Sequence, residues 1–369
     1  MKKVKLICVI LVMAFLCVIL LNACGQTNTQ SGGGAFASSA DDTVYKLSFT
    51  SWNPESGGMA ICEKAGMEYI EKESNGRIKF DGYWGGTLLG AGDTFSGVAD
   101  GLADISIYIV SLSSGVQPVA ELLAQRYFQE MPDMDGIKDI YRTVLVEIPE
   151  IQQELAAQNL YFLDVIGPPG SIMSFTDDSA LNVNVPEDLK GMVVYSAGYY
   201  LQALQTIGVA GMNMAPPDWY TNLERGIVDC MIMNWPGHKD FGLTDLTKSY
   251  VTFGNGGTLS AGAQGFIINL DTWNSLPADL QQIVVDGFRY ANDLLVERDL
   301  AFQYEVRDSE LIDAGKIAQH IKQENMQPWY DLSMIAIDFW IKDVTDKGYD
   351  GEKIFNTYSK IISDYIAGN

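Results

Sequence analysis

The sequence predicts a two-lobed α/β protein, and three observations predict it. Residues 192–233 alternate short strands and helices. The same helix–glycine–strand unit occurs earlier in the chain. A single long helical stretch then follows both. In the first of these, strands at Met192–Tyr195, Val209–Met214 and Ile227–Met233 flank helices at Tyr199–Ile207 and Asp218–Arg225. Gly208 and Gly226 stop the helices, because glycine takes a left-handed conformation cheaply. Asp218 has the chemistry of an N-cap, a carboxylate able to accept from free backbone N–H groups. Alternation of this kind builds an open parallel sheet. In the second, Asp93, Gly101 and Asp104 are spaced as Asp218, Gly226 and Asp229, each 125 residues later. Two similarly wound lobes facing a cleft account for the repeat, and a shared helix–Gly–strand habit is the plainer alternative.

Met1–Lys5 is basic and Leu6–Leu21 is continuously apolar, which reads as a signal-peptide core over residues 1–23. Residues 24–42 are polar and glycine-rich and make a flexible linker. The body begins at Thr43. Tyr45–Ser51 alternates as a strand, Trp52-Asn53-Pro54 turns out of it, and Gly58–Glu73 is helical. Asn75-Gly76 turns into a strand at Arg77–Tyr83. The glycine-rich loop at Tyr83–Gly90 lacks the spacing of a phosphate cradle. Ile105–Val110 is a strand, Pro118–Glu121 and Met134–Gln158 are helical, and Leu160–Val165 is a strand. Ile166–Phe175, broken by Gly167, Pro168, Pro169 and Gly170, crosses between lobes, and Val251–Leu270 crosses back. From Trp273, with Ser275 as cap, a helix of roughly 55 Å runs toward Gly315 along both lobes. Asp331–Gly348 and Glu352–Ile366 close the chain, with a core-type stripe of Phe339, Trp340, Phe355, Tyr358 and Tyr365. The expected lobes are 43–165 with about 252–290, and 166–251 with about 291–369.

The formal net charge is −23. Removing residues 1–23 takes away Lys2, Lys3 and Lys5 and no acid, leaving about −26. Such a field repels nucleic acid and anionic headgroups, so neither is expected as a partner. Beyond the leader, Cys24, Cys62 and Cys230 remain. Cys62 and Cys230 are expected as buried thiols, with a disulfide between them left open. No Cys/His ligand spacing occurs, so neither metal nor cofactor is expected. His238 and His320 fall in no Ser/His/Asp or Cys/His arrangement, which argues against an enzyme.

Ligands of open α/β sheets sit outside the carboxyl ends of the strands. That rule selects aromatic candidates Trp52, Trp84, Tyr108, Tyr195, Tyr199, Trp219 and Trp235. Trp52 and Trp235 follow strands, whereas Trp219 sits on a first helical turn suited to packing. Asn53, Ser106, Ser171, Asn234 and Gln264 are the polar candidates, with His238 a weaker one as a loop histidine.

PEDLKGMVV (Pro186–Val194), MAPPDWYTNLERGIVDC (Met214–Cys230), the Asn269–Gln281 run and the long helix together resemble the DctP-type solute-binding proteins of TRAP transporters. The resemblance covers Thr43 to about Ile321. It implies a two-lobed periplasmic-binding-protein-like fold with hinge crossings, closing on a small solute and delivering it to small and large permease subunits. Leu21-Asn22-Ala23-Cys24 resembles a lipobox, which implies lipidation at Cys24 and anchorage at the outer face of the cytoplasmic membrane. The family pattern after Asp-Leu-Lys-Gly carries an arginine that pairs with the solute's carboxylate. Here Tyr195 stands in its place, offering one neutral donor instead of a charged fork. A neutral, cationic or weakly anionic solute is therefore expected, with Arg126 the fallback partner for an acid. An ABC-type receptor and a ligand-sensing lipoprotein are the alternatives.

Overall fold

The computed structural model describes residues 43–113, 115–125, 134–167, 170–254, 258–259 and 262–368. The leader, linker, Cys24, Arg126, Pro168 and Pro169 lie outside them. Thr43–Asn369 is one compact unit built on two sheets. The first contains β1 (Tyr45–Thr50), β2 (Ile78–Tyr83), β3 (Ile105–Ile109), β4 (Leu160–Ile166) and β10 (Gln264–Asn269), in the order β2-β1-β3-β10-β4. The second contains β5 (Ser171–Phe175), β6 (Val193–Tyr195), β7 (Ala210–Met212), β8 (Cys230–Asn234), β9 (Ser249–Phe253) and β11 (Ile317–Ile321), in the order β11-β9-β5-β8-β6-β7.

The sheets repeat one plan. β1 pairs in parallel with β2 and β3, as β6 does with β7 and β8. An antiparallel strand then crosses in from the other half of the chain, β10 against β3 and β5 against β8. The 125-residue offset holds between β3 and β8, since Phe49 and Thr50 face Ile105 and Ser106 as Val194 and Tyr195 face Cys230 and Met231. Gly101 and Gly226, both at positive φ, end the matching helices α2 (Thr94–Ala99) and α6 (Trp219–Glu224).

The helix α1 (Gly58–Glu73) covers the first sheet together with α9 (Ala278–Arg307). The 30 residues of α9 span about 45 Å. It packs on α1 and β4 of the first sheet and on α7 (Trp235–Asp240) of the second. It is shorter than the periodicity suggests at both ends. Leu270–Ser275 is a separate helix, and Pro277, in extended conformation, is the N-cap of α9. Ser275 does not cap it, because its hydroxyl donates back to the Thr272 carbonyl. At the far end the helix passes into a π-helical turn at Asp308–Asp313.

Asp218 occupies the N-cap position but makes no capping bond. Pro216–Asp218 already turns as a 3₁₀ helix, so Asp218 has near-helical dihedrals and its carboxylate is not set before the free N–H groups. The Met134–Gln158 patch divides at Pro149 into Met134–Glu147 and Glu150–Ala156. β11 was not anticipated. Its register beside β9 carries the chain after α9 back to the second sheet. The closing helices Gln327–Asp346 and Gly351–Ile366 bury Trp340 and Tyr358, while Tyr365 is exposed. Trp340 donates through Nε1 to the Pro118 carbonyl, and so ties the C-terminal segment to the first half of the chain. Cys62 and Cys230 are buried free thiols. Burial pushes the Cys62 thiol up to about 11 and raises Cys230 as well.

Candidate functional site

A cavity of about 130 Å³ lies where the two sheets meet, at the carboxyl ends of their parallel strands. Topology explains which residues reach it. Ile109 ends β3, Tyr195 ends β6 and Asn234 ends β8, while Trp52 follows β1. The crossing strands run the opposite way, so their first residues arrive at the same edge. Ser171 pairs with Asn234, and Gln264 pairs with Ile109.

Six of the residues expected from sequence therefore line one cavity: Trp52, Ser171, Tyr195, Trp219, Asn234 and Gln264. Tyr195, Gln264, Trp219 and Ser171 are buried, at 8%, 8%, 7% and 5% exposed, and Trp52 and Asn234 are partly buried. Trp52 keeps a buried indole N–H without a partner. Trp219 donates through Nε1 to the Met214 carbonyl, so its ring is fixed. Asn234 adopts an extended backbone and accepts through Oδ1 from Gly237 N at 2.7 Å, which starts α7 directly from the end of β8.

The other six are directed elsewhere. Ser106 donates to the Thr50 and Ile107 carbonyls within the sheet. Tyr108 is fully buried between Phe95 and Phe162, because the residue that reaches the strand end is its neighbour Ile109. Asn53 donates to Glu63 Oε1 at 2.7 Å and clamps the β1 turn to α1. Trp84 follows the edge strand β2 and packs on Phe49, beneath the Lys64 ammonium. Tyr199 donates to Asp343 Oδ2 at 2.6 Å, away from the cavity. Trp235 turns inward against Tyr250, with ring centroids 5.0 Å apart. The tryptophan on a helical turn thus lines the cleft, and the one directly after β8 is core. His238 is buried rather than exposed. Its Nδ1 meets the Asn234 carbonyl at 3.0 Å, so Nδ1 carries the proton, and Nε2 accepts from Ser174 Oγ at 2.6 Å. Burial lowers its pKa to about 4.

Sequence reasoning missed the charged part of the wall. Arg298 and Asp299, on α9, and Asp240, at the end of α7, line the cavity beside Phe241 and Met59. Arg298 Nη1 donates to Asp299 at 2.8 Å, and Nη2 lies 3.4 Å from both Asp240 oxygens. Gly58 makes this possible, because a Cβ there would sit 2.2 Å from the guanidinium carbon. Burial pushes the Asp299 carboxyl up to about 7, against the opposing pull of Arg298. An adjacent Arg-Asp pair inside a long amphipathic helix carries no local signal, and only the crossing of α9 between the lobes brings it to the cleft. The rings form a connected set. Tyr195 and Trp219 meet at 5.5 Å, Trp219 and Phe241 at 4.7 Å, and Phe241 and Trp52 stack across the two lobes at 6.4 Å. Among the described residues, no group of His, Cys, Asp and Glu converges to hold a metal ion.

Comparison with known proteins agrees with the fold. A solute-binding protein of Chromohalobacter salexigens is 25% identical over 218 residues, covering 58% of this chain and 62% of that protein. The fold matches a TRAP solute-binding protein from Rhodoferax ferrireducens in complex with benzoate, with a TM-score of 0.76, 19% identity, and 88% of this chain and 99% of that one covered. It also matches a marine-metagenome TRAP solute-binding protein specific for aromatic acids, in complex with 3-hydroxybenzoate, with a TM-score of 0.75, 22% identity and coverage of 88% and 99%. Residues 66–343 match the profile of the DctP family, so the chain belongs to the bacterial extracellular solute-binding proteins of family 7.

Proposed function

We propose that this protein is the extracytoplasmic receptor of a TRAP transporter, closing on a small solute and delivering it to membrane permease subunits. The observation that carries the reading is the cavity shared by two sheets at their carboxyl edges, with Trp52 of one lobe stacked on Phe241 of the other. Closure brings the two sheet-bearing lobes together around the solute, which is how two-lobed receptors sequester a ligand. The leader directs export, and lipid on Cys24 holds the body at the membrane through the 24–42 linker.

The solute is small and ring-bearing, and it is not a simple carboxylate. An apolar cavity of about 150 Å³ suffices for benzene, close to the volume here. The relatives' benzoate and 3-hydroxybenzoate carry such a ring. In place of the family arginine, however, stands Tyr195, a neutral donor worth about 1 kcal/mol net against about 1.5–3 for a charged bond. A thermal-shift screen of acids, amines, polyols, sugars and nucleosides tests the reading. A true solute at a hundredfold excess over its Kd stabilises by about 2.7 kcal/mol, and Tyr195→Phe lowers its affinity severalfold. Stabilisation by acids alone, or full affinity in the Tyr195→Phe protein, would remove the role given to Tyr195.

A further inference from the structure

The charges on the cavity wall name the class of solute. Resting on the receptor reading above, we propose that the cleft takes an organic cation, a substituted ammonium on an apolar or aromatic body. Its charge is met by Asp240 and Asp299, and its faces by Trp52, Tyr195, Trp219 and Phe241.

Among the described residues, three charged side chains line the cavity, one guanidinium against two carboxylates. The guanidinium is already engaged. Asp299 takes Nη1, Asp240 faces Nη2, and the Phe302 ring lies under the guanidinium carbon at 4.9 Å. The group packs over the backbone of Gly58, where any side chain would displace it. An arriving carboxylate would meet two like charges and would have to break an existing pair, which is how a site rejects the wrong ligand. An arriving ammonium meets the reverse. The Arg298–Asp240 contact of 3.4 Å is longer than the roughly 2.7–2.9 Å of a strong charged bond, so the Asp240 oxygens retain accepting capacity. Burial pushes the Asp299 carboxyl up to about 7 against the pull of Arg298, and an arriving ammonium would favour its ionised form. The rings supply the rest, since an aromatic face attracts a cation through its quadrupole, most strongly where water is excluded.

A matched series with one ring and three charges tests this: benzyltrimethylammonium and benzylammonium, benzyl alcohol, and benzoate, measured by calorimetry on the full protein. The two cations are expected to bind at least tenfold more tightly than benzyl alcohol, and benzoate more weakly than the alcohol. Asp240→Asn is expected to reduce the cation-to-alcohol affinity ratio about tenfold. Because a packing defect would weaken both probes together, the ratio isolates the charge. Asp299→Asn, an isosteric change on the opposite side of Arg298, gives a second reading should the first variant fold poorly. Benzoate binding more tightly than the cations, or a ratio unchanged in both variants, overturns the proposal. A neutral or anionic solute emerging from the broader screen also overturns it, while leaving the receptor reading intact. If nothing in the series or the screen binds, the receptor reading itself fails.

Discussion

The two lobes share a plan and differ in what they hang on it. In each, an aspartate directly before a parallel strand, β3 or β8, clips the neighbouring strand. Asp104 Oδ2 accepts from Ser48 N at 2.7 Å, and Asp229 Oδ2 accepts from Val193 N at 2.8 Å. Thr50 and Tyr195 hold the same register position at the end of the first strand. Yet Thr50 is buried with an unpartnered hydroxyl, whereas Tyr195 lines the cleft. Among the described residues, the second lobe supplies three rings to the cavity, Tyr195, Trp219 and Phe241, and the first supplies Trp52. The two halves therefore share backbone geometry and differ in side chains, which is the expected division in a fold whose function is grafted onto its strand ends.

The crossing strands should show the largest difference. Gly265 and Ile172 are matched by register, facing Tyr108 and Met233 respectively. A Cβ on Gly265 would lie 2.1 Å from the Asp164 carbonyl oxygen, and backbone cannot give way as a side-chain tip can. Gly265→Ala should cost about 3 kcal/mol or more in urea unfolding, and Ile172→Val only about 0.5–1.5 kcal/mol. Equal costs would mean that the two crossings are not equivalent strands.

The rings come next. Trp219 is buried and hydrogen-bonded, so Trp219→Ala should remove about 3 kcal/mol of stability along with binding. Trp52 is only partly buried and its N–H has no partner, so Trp52→Ala should cost the fold about 1–2 kcal/mol. It should still weaken solute binding by tenfold or more. Comparable stability losses in the two variants would erase the distinction between a structural ring and a ligand-facing one.

The aspartate clips should be unequal as well. Asp104 also accepts from the Ser48 and Thr272 hydroxyls, whereas Asp229 is exposed with the single strand contact. Asp104→Ala should cost about 2–3 kcal/mol and Asp229→Ala less than about 1 kcal/mol, read from the same unfolding curves.

The smallest effect per unit change is the response to pH, and it tilts in opposite senses. Burial raises Glu63, under the first lobe, from 4.5 to about 7, against the hydrogen bonds from Ser51 and Asn53. Its folded-state value lies above the unfolded one. The favourable contribution is therefore full below about 4.5 and is lost as pH rises through 7. Glu154, also raised to about 7 by burial, tilts the same way. His238, in the second lobe, is lowered from 6.5 to about 4, so its contribution is present above 6.5 and lost as pH falls through 4. Each group adds at most about 1.4 kcal/mol per pH unit. Glu63→Gln should flatten the neutral limb of the stability profile and His238→Gln the acid limb. A Glu63→Gln profile unchanged between 4.5 and 7 would remove the buried-carboxyl explanation.

Much of this was legible in the chain before folding was considered. Strand and helix order, the glycine stops at Gly101, Gly208 and Gly226, and the bounds of α1 follow from periodicity and φ freedom, which are local properties. The rule that ligands gather at strand ends then reached Trp52, Tyr195, Asn234, Ser171 and Gln264, because strand direction alone decides which end faces the cleft. Ser106 and Tyr108 were misdirected by one or two positions, since alternation along a strand turns neighbouring side chains to opposite faces. Asn53, Trp84, Tyr199 and Trp235 were taken up by Glu63, Phe49, Asp343 and Tyr250, partners that no local pattern announces.

By itself, then, the sequence determined the alternation of elements, the repeat between halves and the edge of the sheets where a solute would sit. These depend on propensity, period and chain direction, all short-range. The tertiary structure alone decided the electrostatic character of the cleft. Arg298 and Asp299 stand 58 and 59 residues beyond Asp240, and they meet it only because α9 packs against both lobes at once. Coulomb and ring-face interactions act through space rather than along the chain, so which charges meet at the cleft was settled by packing.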